Sequence, residues 1–119
     1  MTTKALYFTY WTSITLFALM MATSGVLYLA DPRFKERFTH LGLPSYLRVE
    51  LAILKLFGAA ILLLPFPRFL EEWAIVGFFI VLASACIAHL ASGDGLKKAM
   101  APALVAVILA IACLTLQYR

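Results

Sequence analysis

Four residues of this chain could do chemistry: His40, His89, Asp94 five positions after the second histidine, and Lys55 inside an apolar run. Imidazole is a common ligand of haem iron and of zinc, and a histidine beside a carboxylate can move a proton. Two histidines fall short of a zinc site unless Asp31 or Asp94 joins them, and no cysteine accompanies them, so haem and metal are disfavoured. A quinone pocket asks for less, a hydrogen-bond donor at a carbonyl and an apolar sleeve, which His89, Lys55 and Tyr28 could supply. The pattern permits a quinone without diagnosing one, and the cofactor stays unknown. Acid–base chemistry by His89 and Asp94 alone has no substrate to point to, so whether the chain is an enzyme also stays open.

Lys55 is the least expected of the four. It follows Arg48 by two helical turns, roughly 10 Å along a helix axis. A lysine at mid-bilayer costs about 2.5–3.5 kcal/mol on insertion scales, so it must face a bundle interior, a partner or a route to water. Glu50 lies five positions earlier, about 140° around the helix, where side chains do not meet well. Two readings stand. Either Lys55 snorkels along its aliphatic stem toward the nearer membrane face, or it serves a ligand or a proton.

The elements that must position these groups belong to a chain of 119 residues, 64% hydrophobic and 13% charged. That charged share is about half the usual value for a soluble domain. A domain of this size hides only roughly 60–70% of the surface its unfolded chain exposes, so the remaining apolar surface needs lipid as its solvent. The net charge of +4 comes from Lys and Arg residues scattered over the ends of apolar runs. That placement suits headgroups and membrane orientation and speaks against nucleic acid.

Four apolar runs, about 7–30, 47–64, 73–92 and 99–116, are long enough to cross ~30 Å of hydrocarbon. They must be helices, because an unpaired backbone group in lipid costs several kcal/mol, and they are too long for barrel strands. The first run continues past Ser24, which argues against a cleaved signal peptide. Between the first two runs, Asp31 suits an N-cap, Pro32 the first helical position and Gly42 a stop. Phe34, Phe38 and Leu41 share one face there, so residues 32–41 read as a short amphipathic helix at the interface. The connections Pro65–Glu72 and Gly93–Lys98 read as tight turns that make successive helices antiparallel. The expectation is an all-α membrane protein, one domain over 1–119, folded as an up-down four-transmembrane-helix bundle with a short interfacial helix. Gly25, Gly58 and Gly77 would let helices approach closely. Cys86 and Cys113 lie at different depths, too far apart for a disulfide, and read as buried small hydrophobes.

This topology gathers polar residues at one face. Tyr28, His40, Tyr46, Arg48, Glu50, His89 and Asp94 fall there with Asp31, Lys97 and Lys98, whereas Lys4, Arg68, Glu71, Glu72 and Arg119 mark the other. A one-sided polar mouth over an apolar bundle is a common geometry for a lipophile site; the plainer reading is that loops need charges. The candidate ligand-binding residues are therefore Tyr28, His40, Tyr46, Arg48, Glu50, Lys55, His89 and Asp94, with Phe34 and Phe38 as candidate partner contacts. No catalytic or metal set is assigned. The balance of basic residues places the first and third loops in the cytoplasm and both termini outside.

A series of short motifs runs along the chain: Ser24-Gly25-Val26-Leu27-Tyr28-Leu29 and Pro32, then Phe38-Thr39-His40-Leu41-Gly42-Leu43-Pro44 with Tyr46-Leu47-Arg48, then Lys55-Leu56-Phe57-Gly58. Pro65, Pro67, Glu72-Trp73-Ala74, Gly77-Phe78, His89-Leu90 and Gly93-Asp94 complete the series. In this order and spacing the chain, from Tyr10 to about Leu109, resembles the DoxX-like family of four-span membrane proteins. The resemblance implies four helices in the bacterial cytoplasmic (inner) membrane. It also implies a link to membrane redox systems, since the family takes its name from a subunit associated with a thiosulfate:quinone oxidoreductase, and more distant relatives include a chaperone of channel assembly. Loop one departs from the family pattern with the basic run Arg33-Phe34-Lys35-Glu36-Arg37.

Two functions follow as expectations. The first is an accessory or binding protein that holds a lipophile such as quinone beneath the polar mouth. The second is an assembly partner or chaperone of another membrane protein, with Phe34 and Phe38 as its contacts. The bilayer is the expected surrounding in both, with a redox subunit or a second copy of the chain as further partners the sequence leaves open.

Overall fold

The computed structural model describes residues 2–119, and all of its regular structure is helical. α1 spans Thr3–Ala30, α2 Pro32–His40, α3 Ser45–Leu63, α4 Arg68–Ala91 and α5 Leu96–Thr115, with a final 3-10 turn at Leu116–Tyr118. Three of these, α1, α4 and α5 with its last turn, are long and apolar enough to cross a membrane. α3 is not among them, because Arg48, Glu50 and Lys55 all fall within its 19 residues.

Helix starts run ahead of the apolar runs in the sequence. A helix is defined by its hydrogen-bond ladder, and its first turn accepts polar residues that an apolar run excludes. α1 begins at Thr3 because the Thr2 hydroxyl accepts the Ala5 N–H at 3.1 Å. α4 begins at Arg68, just after Pro67, and α5 at Leu96, so the two tight turns shrink to 64–67 and 92–95. Asp31 does double duty. Its N–H closes α1 on the Leu27 carbonyl, and its carboxylate accepts the Arg33 N–H at 3.0 Å to start α2 at Pro32.

α1 is the central element, packed against α3 on one side and α5 on the other, with α4 leaning on α5. Its residues Tyr10, Ile14, Phe17 and Met21 form one buried face. They meet Leu62 of α3, Ile75, Phe78 and Leu82 of α4, and Leu109 and Ala112 of α5. Phe17 and Phe78 pack edge to face with ring centroids 5.0 Å apart. The approach of α3 to α4 depends on Gly58, where a Cβ would lie 2.6 Å from the Phe78 ring. Gly77 departs from the packing role expected of it, since a Cβ there would meet nothing within 4 Å.

Large apolar residues also cover the outside. Leu19, Phe57, Ile80, Leu104 and Leu114 are all exposed, an outer surface that water would not tolerate at this density. Cys86 is half-buried and donates to the Ala99 carbonyl at 3.3 Å, in the turn disturbed by Pro102. Cys113, expected to be buried, is exposed beside Leu114. Where the outer faces are themselves apolar, a small apolar side chain gains little from an inward position.

Candidate functional site

The site is assembled at one end of the bundle by two glycine-closed helix ends. Gly93, at φ +74°, stops α4, and the Asp94 N–H donates to the His89 carbonyl at 3.0 Å. A left-handed φ is routine only for glycine, and the bond reuses a carbonyl that the helix end would orphan. Asp94 is thereby folded back over its own helix, and His89 Nδ1 lies 2.7 Å from Asp94 Oδ2. α2 brings the second imidazole, with His40 Nε2 2.5 Å from Asp94 Oδ1.

A carboxylate only accepts, so these bonds place a proton on His89 Nδ1 and on His40 Nε2. The remaining nitrogens, His89 Nε2 and His40 Nδ1, are left free to meet a ligand. The His40 hydrogen bond first, and the His89 bond second, hold the Asp94 carboxyl below its ordinary range. At the start of α2, hydrogen bonds from Arg33 lower the Asp31 carboxyl likewise.

This bridge forms the lip of a cavity of about 380 Å³ whose inner wall is aromatic, built from Tyr28, Phe34 and Phe38. Arg37 and Lys98 stand at its edge. Tyr28 is the hub, with its ring centroid 5.1 Å from Phe34 and 5.2 Å from Phe38. The Lys55 ammonium lies 3.9 Å from the centroid of the same ring and donates to the Ser24 hydroxyl at 2.9 Å. Lys55 is therefore turned inward, with 7% of its surface exposed. Its partners, Ser24 and Tyr28, sit one turn apart on α1.

The other candidate residues divide. Arg48 donates to the Tyr28 carbonyl, one of the last acceptors of α1, and so fastens the start of α3 to the end of α1. Phe34 and Phe38, expected to face a partner, instead wall the cavity against Tyr28, and Phe38 is buried. The reason is steric: the apolar face of a nine-residue helix tied down at Asp31 meets the bundle first. Tyr46 and Glu50 are exposed and line neither this cavity nor the groove described below, so the structure does not bring them to the cluster.

Sequence reasoning left Ser24, Arg37 and Lys98 out of the candidate site, although it placed Lys98 at this face. Ser24 precedes Tyr28 by one helical turn and Lys98 follows Asp94 by four residues, which is the signal that could have found these two. It also missed a second polar cluster at the opposite end, where buried Glu71 pairs with Arg119 near buried Tyr10. Among the described residues, no three His, Cys, Asp or Glu side chains are arranged to hold a metal ion.

A second cavity, a groove of about 320 Å³, opens between α3 and α4 and is lined by Lys55 at one level and otherwise by apolar side chains.

No curated protein and no solved structure matches the chain. The family comparison does match, over residues 12–113, which is most of the length. With its long apolar helices and apolar outer surface, this membrane protein belongs to the DoxX-like family.

Proposed function

We propose that the protein is an accessory or binding subunit of the bacterial inner membrane, which holds a small lipophile such as quinone at one face of the bilayer and serves a membrane redox system. In this reading α3 is a fourth span and α2 lies along the interface. The outer face of α3 is apolar, with Ile53, Leu54 and Phe57 exposed, while Lys55 is turned in and Arg48 is held on a helix-end carbonyl. At ~1.5 Å per residue its 19 residues reach about 28 Å, close to the ~30 Å of the hydrocarbon core.

The observation that carries the reading is the Asp94 bridge to both histidines at the lip of an aromatic-walled cavity. A flat ring fits against Tyr28, Phe34 and Phe38. A quinone carbonyl finds donors at the lip in Lys98 and Arg37, and a quinol hydroxyl finds an acceptor in a free imidazole nitrogen. Asp94, held as a carboxylate by its two hydrogen bonds, fixes both imidazoles beside such a head.

The test is equilibrium binding of a benzoquinone to the detergent-purified protein. Saturable binding is expected, weakened about tenfold or more by a double His40→Ala, His89→Ala change, a loss of about 1.4 kcal/mol. Retention no greater than the lipid background would end the quinone version.

The second reading is an assembly partner or chaperone of another membrane protein. It is favoured by the outward, charged face of α2, with Arg33, Lys35 and Glu36 exposed, next to exposed Tyr46. Crosslinked pull-downs that recover a specific membrane partner, and lose it on Tyr46→Ala with Lys35→Glu, would shift weight to this reading.

A further inference from the structure

The groove between α3 and α4 has a shape and a charge that the cavity at the lip leaves unused. Leu54, Phe57 and Ile61 of α3 face Trp73, Ala74 and Gly77 of α4 across it. From Leu51 to Ile61 it runs about 15 Å along α3 at ~1.5 Å per residue. Its volume of about 320 Å³ is within the ~300–1,000 Å³ range of small-molecule sites.

Two observations say what fills it. Gly58 and Gly77 both line the groove, yet only Gly58 is pressed against a neighbour. At Gly77 a Cβ would meet open space, so packing does not require glycine there, and its missing side chain leaves the groove wide. Lys55 is the one charged residue lining it. Of the three N–H donors of an ammonium, one goes to Ser24 and the Tyr28 ring faces the group; among the described residues no carboxylate pairs with it. A long apolar slot with an unneutralised cation at one level is complementary to an amphiphile, with a chain for the slot and a hydrogen-bond-accepting head for the cation.

We propose that the α3–α4 groove receives the hydrocarbon chain of a single-chain amphiphile whose accepting head sits at Lys55. The inference rests on the reading of the protein as a lipophile binder and adds the chain to it. Lys55 lines the groove, Tyr28 lines the cavity at the lip, and the two side chains are in contact. A head accepted by Lys55 on its groove side has the groove as its apolar extension, one side chain away from the cavity at the lip.

A benzoquinone with a decyl chain ending in a diazirine tests this in the full chain reconstituted in phosphatidylcholine nanodiscs, with methyl-benzoquinone as the chainless comparison. Light-dependent labelling that excess decyl-benzoquinone competes away is expected on Leu54, Phe57 and Trp73, and not on Leu104 or Val107 of the outer face of α5. Gly77→Leu, whose Cβ meets nothing within 4 Å and whose longer side chain extends into the groove, is expected to cut competable labelling about tenfold. Phe57→Ala, which removes an exposed wall, gives a second and milder reduction if Gly77→Leu folds poorly. Competable label spread evenly over groove and α5, or undiminished in both variants, overturns the groove. If methyl-benzoquinone still binds the wild type in that case, only the chain inference falls; if it does not, the parent reading falls with it. A crosslinked dimer seated on Trp73 and Phe57, with no competable label, assigns the groove to a second copy and overturns the proposal.

Discussion

The two ends of the bundle use a buried or half-buried carboxylate in opposite ways. At the lip, both Asp94 oxygens are engaged by imidazoles from two different elements, and those imidazoles keep 57% and 29% of their side-chain surface exposed. At the far end, Glu71 is 2% exposed, with one oxygen on Arg119 and the other without a partner. The Tyr10 hydroxyl and the Trp11 N–H are also buried and unpartnered. The first arrangement is satisfied and open, so a ligand can enter without breaking it. The second is enclosed and binds helix to chain end, so its failure is felt as lost stability. Burial, rather than the number of charges, separates an end that stays accessible from one that is closed off.

The largest break in this comparison is expected at the closed end. Arg119→Ala strands the Glu71 carboxylate inside the bundle and should destabilise the protein by about 3–5 kcal/mol, the usual loss when one partner of a buried pair is removed. Thermal unfolding in detergent measures it, and Glu71→Gln with Arg119→Ala should recover part of the loss. An unchanged midpoint would mean that the pair closes nothing. Next comes the contrast between the two groove glycines. Gly58→Ala drives a methyl into the Phe78 ring and should cost about 1–3 kcal/mol, whereas Gly77→Ala should stay within about 0.5 kcal/mol.

The smallest effect belongs to the open end. Asp94→Asn removes the acceptor shared by the two histidines and should raise hydrogen exchange in α2 while the unfolding midpoint of the bundle hardly moves. The pH dependence follows from the lowered Asp94 carboxyl. A group whose folded value lies below its unfolded one contributes stability that is complete above the unfolded value, near 3.9, and fades as pH falls through the folded value. Protection of α2 should thus be insensitive to this group from neutral pH down to about 4, with an acid limb that Asp94→Asn abolishes.

Much of the helical frame was legible in the sequence, because apolar runs bounded by charges report lipid-compatible length directly. The capping of α2 by Asp31 and Pro32 could be read from local chemistry alone. That His89 and Asp94 meet follows from a glycine turn five residues long, a local signal; that His40 joins them is a contact across 54 positions, which no periodicity encodes. The inward turn of Lys55 could be anticipated from the penalty on a charge in lipid, but not its seat on Tyr28 and Ser24, since that depends on the rotation of α1 against α3. Sorting Glu71 and Arg119 by membrane face treated both as surface charges. Their burial is decided by how Tyr10 and the last turn pack, which a charge map does not contain.

The seat of Lys55 also bears on the order in which the chain assembles. Both groups that receive its ammonium belong to α1, so α3 has no polar company of its own for this charge. Emerging after α1, the lysine-bearing segment finds its hydroxyl and its aromatic ring already waiting. A chain deprived of its first helix would leave that ammonium with neither of the two groups that receive it.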